Sequence, residues 1–174
     1  MTSPFPVPLR DGRVFFMGFD WTRFSVWQTD SAASSPRLLW TLGSDGKGKP
    51  DVSPDGARAV VARFGFGGAL DLLDLATGGT RSLGVFGTAP RWSPDGAWIA
   101  YLSTSDARVT IVRPDGTGVR GIAACASAGN ASLAWSPDGT WLVCDGATGP
   151  QLVRVADGLV LPLPRLRLTQ PDWR

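Results

Sequence analysis

The 174-residue sequence contains no histidine. A Ser-His-Asp triad, a Cys-His dyad and a histidine-ligated zinc or iron site are therefore excluded. The sequence also has no Gly-x-Ser-x-Gly elbow, phosphate-binding loop or dinucleotide fingerprint. We therefore expect a protein that is not an enzyme and that has no catalytic residues, no metal site and no cofactor.

Long apolar segments are absent as well. No run approaches the ~18 to 20 residues that a membrane-spanning helix needs, so no membrane insertion is expected. The amino terminus has no basic region followed by an apolar segment, and a signal peptide is therefore not visible. On this ground the sequence predicts a cytoplasmic protein.

The charge is low and evenly distributed. The formal net charge is +2, and the basic residues, almost all arginine, alternate with acidic residues along the chain. A nucleic-acid surface needs a basic stripe or patch. We therefore expect no nucleic-acid partner and interpret these charges as solvated edges.

The most regular feature that is present is an Asp-Gly pair, at Asp11-Gly12, Asp55-Gly56, Asp95-Gly96 and Asp138-Gly139. The last three pairs belong to a full Ser-Pro-Asp-Gly motif, and successive glycines are 44, 40 and 43 residues apart. This period is typical of the four-stranded blade of a β-propeller.

Each Ser-Pro-Asp-Gly motif predicts a tight turn between two strands. Proline fixes φ at the first corner, aspartate bonds back to the backbone, and glycine accepts the positive φ that closes the turn. The strands that follow, such as 97–101 and 140–144, are apolar on both alternating faces. Both faces must therefore be covered, as when one sheet stacks on the next.

The segment Trp92-Ser-Pro-Asp-Gly-Ala-Trp-Ile-Ala-Tyr101, followed by Val109-Thr-Ile-Val-Arg-Pro-Asp-Gly116, resembles the repeat of TolB-type β-propellers, the Pro-Asp-Gly relatives of WD repeats. The resemblance covers 50–163 in three copies and 9–42 more weakly. It implies a propeller fold and commonly a binding role, and it brings no catalytic residue. Because proteins of this type are often exported, a periplasmic or other extracytoplasmic location is the alternative to a cytoplasmic one.

The predicted architecture is all-β, a single domain of four blades with four antiparallel strands each. In the first blade only three strands are evident, and residues 170–174 resemble a missing inner strand. We therefore predict that the carboxyl-terminal strand joins the amino-terminal blade and closes the ring. The alternative is a half-ring that completes a larger propeller with another chain. The predicted blades are blade I, 11–44 with 169–174; blade II, 50–87; blade III, 88–126; and blade IV, 130–164.

The aspartates of the turns, the two cysteines and the recurring tryptophans all have structural interpretations. Asp55, Asp95 and Asp138 occupy equivalent turns, where each has a local role, and we prefer this to a calcium site. Cys125 and Cys144 are predicted to lie toward the same rim, so that a disulfide is geometrically conceivable. Two cysteines are not a disulfide framework, however, and two small buried thiols are the alternative. The recurring tryptophans at 92, 98, 135, 141 and 173 are predicted to pack between blades.

Loops between the second and third strands share one face of a propeller with the connections between blades. There we predict a partner-binding face, because exposed aromatic side chains beside arginine are typical of protein-binding hot spots. The first hypothesis is a non-catalytic protein-binding or scaffold propeller in a larger assembly. The alternative is a ligand-binding, sugar-binding or substrate-gating accessory propeller of an enzyme, for which a small-molecule ligand is conceivable; self-association is a third form of partnership. The candidate residues of the face are Trp21, Arg23, Phe66, Asp106, Lys47, Lys49 and Asn130.

Overall fold

A computed structural model describes residues 5–9, 12–19, 24–30, 35–43, 50–63, 67–125, 132–146 and 149–163. Throughout these ranges the regular structure is β-strand, without a helix, which confirms the predicted all-β class. It follows that the described part also has no helix long and apolar enough to cross a membrane. The strands form four antiparallel groups of four, called units I to IV here.

Unit I consists of β1 (Phe5–Pro8), β2 (Val14–Phe19), β3 (Phe24–Thr29) and β4 (Arg37–Gly43), hydrogen-bonded in that order. The β1 strand pairs antiparallel with β2, from Phe5 opposite Met17 to Pro8 opposite Val14. Pro6 and Pro8 are two residues apart, so their missing N–H groups fall on the same side of the strand. Prolines spaced in this way are tolerated at a sheet edge.

This pairing corrects the predicted closure. The carboxyl-terminal residues 169–174 were expected beside β2, but β2 has β1 on one side and β3 on the other. Phe5 and Val7 alternate with the prolines, and the extended conformation that proline favours suits an edge strand. Residues 169–174 themselves lie outside the described part of the chain.

Units II and III are joined in one seven-stranded sheet. Its strands are β5 (Asp51–Val52), β6 (Arg58–Arg63), β7 (Ala69–Asp74), β8 (Thr80–Trp92), β9 (Ile99–Ser103), β10 (Arg108–Val112) and β11 (Arg120–Ala124).

The long β8 strand belongs to both units. Residues up to Phe86 pair with β7 as the outer strand of unit II, and residues from Gly87 pair with β9 as the inner strand of unit III. The sequence predicted two separate strands, 80–86 and 89–93. They are continuous, and the positive φ angles of 72° at Gly84 and 51° at Ala89 fall where the register shifts, first against β7 and then against β9. The strand thus changes partners across two local irregularities.

Unit IV consists of β12 (Leu133–Trp135), β13 (Trp141–Gly146), β14 (Gly149–Arg154) and β15 (Val160–Pro162). These strands follow one another in chain order across the sheet, as in unit I.

Three hydrophobic clusters lie between successive units, one at each junction. In β9, Ile99 and Tyr101 pack toward unit II, whereas Ala100 and Leu102 pack toward unit IV. Burial of both faces of a central sheet explains the two-sided apolar strands seen in the sequence. In the described part of the chain no cluster joins unit IV to unit I.

The tryptophans of the repeats contribute to these junctions. Trp92 is buried between units II and III, and Trp135 is buried between units III and IV. The Trp135 indole Nε1 donates to the Arg91 carbonyl at 3.1 Å, and the Arg58 guanidinium lies 5.4 Å from the centre of the Trp92 ring. The predicted packing role is thus confirmed for these two side chains.

Candidate functional site

Each unit has two ends. The Ser-Pro-Asp-Gly turns and the turns between third and fourth strands lie at one end, called the turn face here. The loops between second and third strands and the connections between units lie at the other end, called the loop face. The turn face contains the repeated turns, whereas the loop face contains the predicted binding residues.

On the turn face, the three Ser-Pro-Asp-Gly motifs share one hydrogen-bond pattern. In unit III, the Ser93 hydroxyl donates to Asp95 Oδ1 at 2.6 Å and accepts from the Trp98 N–H at 2.9 Å. Asp95 Oδ1 also accepts from the Ala97 N–H at 3.0 Å. Units II and IV repeat these bonds around Ser53 and Ser136.

These bonds explain the titration of the turn carboxylates. The serine hydroxyl is the main cause that lowers the pKa of Asp55, Asp95 and Asp138, and backbone N–H groups lower it further. Because each carboxylate is engaged in its own turn, the local interpretation of these residues agrees with the geometry. The described residues contain no group of three or more potential metal ligands among Cys, Asp and Glu.

A second repeated feature of the turn face joins neighbouring units. An arginine at the start of an outer strand donates to a backbone carbonyl in the outer turn of the next unit. Arg37 reaches the Ala76 carbonyl at 3.1 Å, Arg81 the Asp115 carbonyl at 3.0 Å, and Arg120 the Val155 carbonyl at 3.1 Å.

The same outer turns contribute a glycine to the junction. A Cβ placed on Gly78, Gly116 or Gly158 would lie 2.9, 3.0 or 2.6 Å from a backbone carbonyl oxygen of the preceding unit. All three glycines have positive φ. The arginine and the glycine together are called the inter-unit latch below; the sequence interpretation missed it, although Arg37, Arg81 and Arg120 each stand two residues before a leucine or isoleucine.

On the loop face, Asp106 is the only predicted site residue that falls within the described ranges. It is exposed in the loop between β9 and β10, and its Oδ1 accepts from the Arg108 N–H at 3.3 Å. Burial, and secondarily the charge of Asp106, raises the pKa of Tyr101 to about 12. The other predicted residues, Trp21, Arg23, Phe66, Lys47, Lys49 and Asn130, lie outside the described residues.

The structure adds Phe86 to this face, which the sequence interpretation had assigned only to a strand. Its side chain is 54% exposed, and its carbonyl accepts from the Thr104 N–H at 3.3 Å. Thr104 Oγ1 also donates to the Gly67 carbonyl at 3.2 Å, so the loops of units II and III meet beside the Phe86 ring. Strict alternation from the buried Leu83 would have predicted an outward Phe86.

Hydroxyl side chains follow one another in the segment that is hydrogen-bonded to Phe86 through Thr104. Ser103 Oγ and Ser105 Oγ lie 2.9 Å apart in the loop that also carries Thr104 and Asp106. The described part of the loop face therefore presents one large apolar side chain beside hydroxyls and a carboxylate. Such a combination of groups can contact the apolar side chains and the hydrogen-bond donors of another protein's surface.

The two cysteines, left open by the sequence, are paired in a disulfide. Cys125 follows β11 of unit III and Cys144 lies in β13 of unit IV, with Cα atoms 6.6 Å apart, within the usual range. Both residues are buried in the cluster between these units. The bond thus ties the outer strand of one unit to the sheet of the next.

No protein-family model and no curated protein matches the chain. Solved structures do match. TolB from Acinetobacter baumannii is 17% identical with a TM-score of 0.72, over 90% of this chain and 42% of that chain. A putative TolB from Agrobacterium tumefaciens is 22% identical with a TM-score of 0.67, over 93% and 66%. An oligogalacturonate lyase in complex with manganese is 20% identical with a TM-score of 0.62, over 83% and 47%.

These similarities define the fold class, a TolB-like β-propeller architecture, and agree with the repeat seen in the sequence. The chain spans less than half the length of the Acinetobacter protein and less than two thirds of the Agrobacterium protein. What the described part of the chain forms is therefore a partial propeller of four stacked units.

Proposed function

We propose that this chain is a non-catalytic, protein-binding scaffold propeller that contacts its partner through the loop face. The observation that carries the proposal is the exposure of Phe86 at the seam between units II and III. Large aromatic side chains dominate protein-binding energy when they are exposed in the free protein and buried in the complex.

The surroundings of Phe86 support a protein partner. Thr104 and Ser105 are exposed on one side, and Asp106 adds a negative charge that can pair with a basic side chain of the partner. Hydrogen bonds between the loops hold Phe86 in place before binding, which lowers the ordering cost of the complex.

The enzyme-accessory alternative has less support from the described residues. The likeness to the lyase, at 20% identity, concerns the fold. Among the described residues the loop face offers one exposed aromatic ring, that of Phe86, whereas a sugar-binding site needs a concave pocket with several convergent polar groups.

The test is affinity capture from the native extract with immobilised wild-type chain and the Phe86→Ser variant. We expect a defined set of proteins that the wild type captures and that falls at least ~10-fold with Phe86→Ser, the loss that ~1.4 kcal/mol represents. Captured proteins are quantified by mass spectrometry.

Val119→Ser is the matched control, because Val119 is 53% exposed but lies near the turn face of unit III. It should capture the same proteins as the wild type. Equal capture by the Phe86→Ser variant, with unchanged thermal midpoint, would refute a role of this side chain in binding.

A further inference from the structure

Unit I differs from the other units on the face that points away from unit II. In units II, III and IV the equivalent face packs on the preceding unit, and its central side chains are at most 3% exposed. These buried positions are Ala59, Val61 and Leu73 in unit II, Ile99, Tyr101 and Val112 in unit III, and Leu142, Cys144 and Val153 in unit IV.

The strand register identifies Val14, Phe16 and Thr29 as the corresponding residues of unit I. All three are only half-buried. Phe16 lies opposite Trp27, and Trp27 lies opposite Leu38, which is 47% exposed. Phe16 and Trp27 correspond in register to Val61 and Asp71 of unit II, which are at most 3% exposed, whereas Leu38 corresponds to Ser82, which is exposed. This row of Phe16, Trp27 and Leu38, called the unit I row, is therefore an apolar sheet face whose first two positions are buried where another unit covers them.

At the other end of the chain, unit IV departs from the inter-unit latch. Leu161 lies opposite Leu152 in the register position where Arg81 lies opposite Leu72 in unit II. Leu161 is 41% exposed, and Leu159 is exposed to the same extent. A leucine thus stands where units I to III have a latch arginine.

The latch glycine is missing from the outer turn of unit I. The segment that joins β3 to β4 in unit I, residues 30–36, contains no glycine. In units II, III and IV the equivalent turn has the glycine that packs against a preceding strand. Unit IV therefore lacks the latch arginine and unit I lacks the latch glycine, as expected if an apolar contact between a unit IV and a unit I replaces the latch.

We infer that the unit I row binds unit IV of a second copy of this chain, around Leu159 and Leu161. Two copies then form two identical junctions and close one ring of eight units. Closure is the arrangement in which every unit has both faces covered.

The similar structures support a second copy rather than closure of four units into a ring. The four units match 42% of the Acinetobacter TolB chain with a TM-score of 0.72, so they are stacked as part of a larger propeller. In the described part of the chain no hydrophobic cluster joins units I and IV, which leaves these faces to a second molecule.

The test is the solution mass of the purified chain, measured by light scattering across a concentration series. We expect twice the 18.4 kDa of one chain. Phe16→Glu and Leu152→Glu should each lower the mass to that of a monomer, because the equivalent positions, Tyr101 and Leu72, are buried where units II and III meet, and a carboxylate there would be buried without a partner. Val119→Glu, at an exposed position outside both faces, should remain dimeric.

Mixing the two variants tests the direction of pairing. One copy with Phe16→Glu retains an intact unit IV, and one with Leu152→Glu retains an intact unit I row. Their mixture should recover one junction and form a dimer that neither variant forms alone.

Circular dichroism and the thermal midpoint establish that each variant is folded. A wild type that stays monomeric at all concentrations would overturn the inference. A dimer that survives both substitutions would place the interface elsewhere, and open-ended oligomers would rule out a ring of two.

Discussion

At the scale of single residues, the serine of each Ser-Pro-Asp-Gly turn connects the two strands that the turn joins. The Ser93 hydroxyl accepts from the Trp98 N–H and lies 3.1 Å from the Trp98 carbonyl while it donates to Asp95. Because Ser93 is buried, removal of its hydroxyl would leave the Trp98 N–H without a hydrogen-bond acceptor and shielded from water.

We predict that Ser93→Ala lowers the free energy of unfolding by about 1–3 kcal/mol, the usual cost of a buried donor without a partner. Urea denaturation measures the change. Ser105→Ala, at an exposed loop position, is the control and should cost less than about 0.5 kcal/mol. Equal stability of both variants would contradict the assigned role of Ser93.

The Ser93→Ala variant should also change how the free energy of unfolding depends on pH in acid. Because folding lowers the pKa of Asp95, its ionised form adds stability that is fully present above the ordinary aspartate pKa of 3.8 and is lost as pH falls through the lower pKa of the folded state. Since the Ser93 hydroxyl is the main cause, Ser93→Ala should lose less stability than the wild type between pH 5 and pH 2.

At the scale of elements, each junction depends on an outer turn that approaches a neighbouring strand very closely. Gly158 has a φ of 75°, and a Cβ there would lie 2.6 Å from the Ile122 carbonyl oxygen. Gly56 has a similar φ of 70° but nothing within 4 Å of the added Cβ. Substitution of Gly56 therefore measures the free-energy cost of a side chain at positive φ alone. Substitution of Gly158 adds the cost of displacing unit III from unit IV.

We predict that Gly56→Ala costs about 1–2 kcal/mol of unfolding free energy, the price of a left-handed conformation for a residue with a Cβ. Gly158→Ala should cost about 1–3 kcal/mol more, because the backbone oxygen cannot give way without moving unit III. Denaturant unfolding of both variants checks this, and equal losses would argue against the close approach.

At the scale of the whole molecule, the disulfide secures the junction between units III and IV. Cys125 and Cys144 are separated by 19 residues, and a loop of this size corresponds to roughly 3 kcal/mol of stabilisation through the unfolded chain. The bond also fixes the outer strand of unit III against β13, in addition to the packing of the buried cluster and the hydrogen bonds of Arg120 and Trp135 across this junction.

We predict that a strong reductant lowers the thermal midpoint of the wild type by several degrees, about the shift that 3 kcal/mol produces in a domain of this size. The Cys125→Ala, Cys144→Ala double variant should start at the lower midpoint and be insensitive to the reductant. Identical midpoints for the oxidised and reduced wild type would show that the two thiols do not form the bond.

Much of the fold could be predicted because its signals are local. The Ser-Pro-Asp-Gly turns specify their own geometry, and the strands around them are apolar on both faces, which requires sheets on either side. The candidate site was less predictable. Asp106 was placed on the loop face by topology. Phe86 was missed because the predicted face was drawn from loop residues alone; alternation from Leu83 points its side chain outward, but only the tertiary structure places it beside the loop of unit III.

The sequence by itself thus determined the all-β class, the positions of the turns and the stacking of sheets, because proline, aspartate and glycine act on the backbone next to them. Only the tertiary structure decided that Phe5–Pro8, rather than residues 169–174, pairs with β2. It also decided that β8 belongs to two units, and that an arginine of one unit donates a hydrogen bond to a backbone carbonyl of the next. The physical reason is that these contacts join residues far apart in the chain, and several segments of similar local character compete for each place.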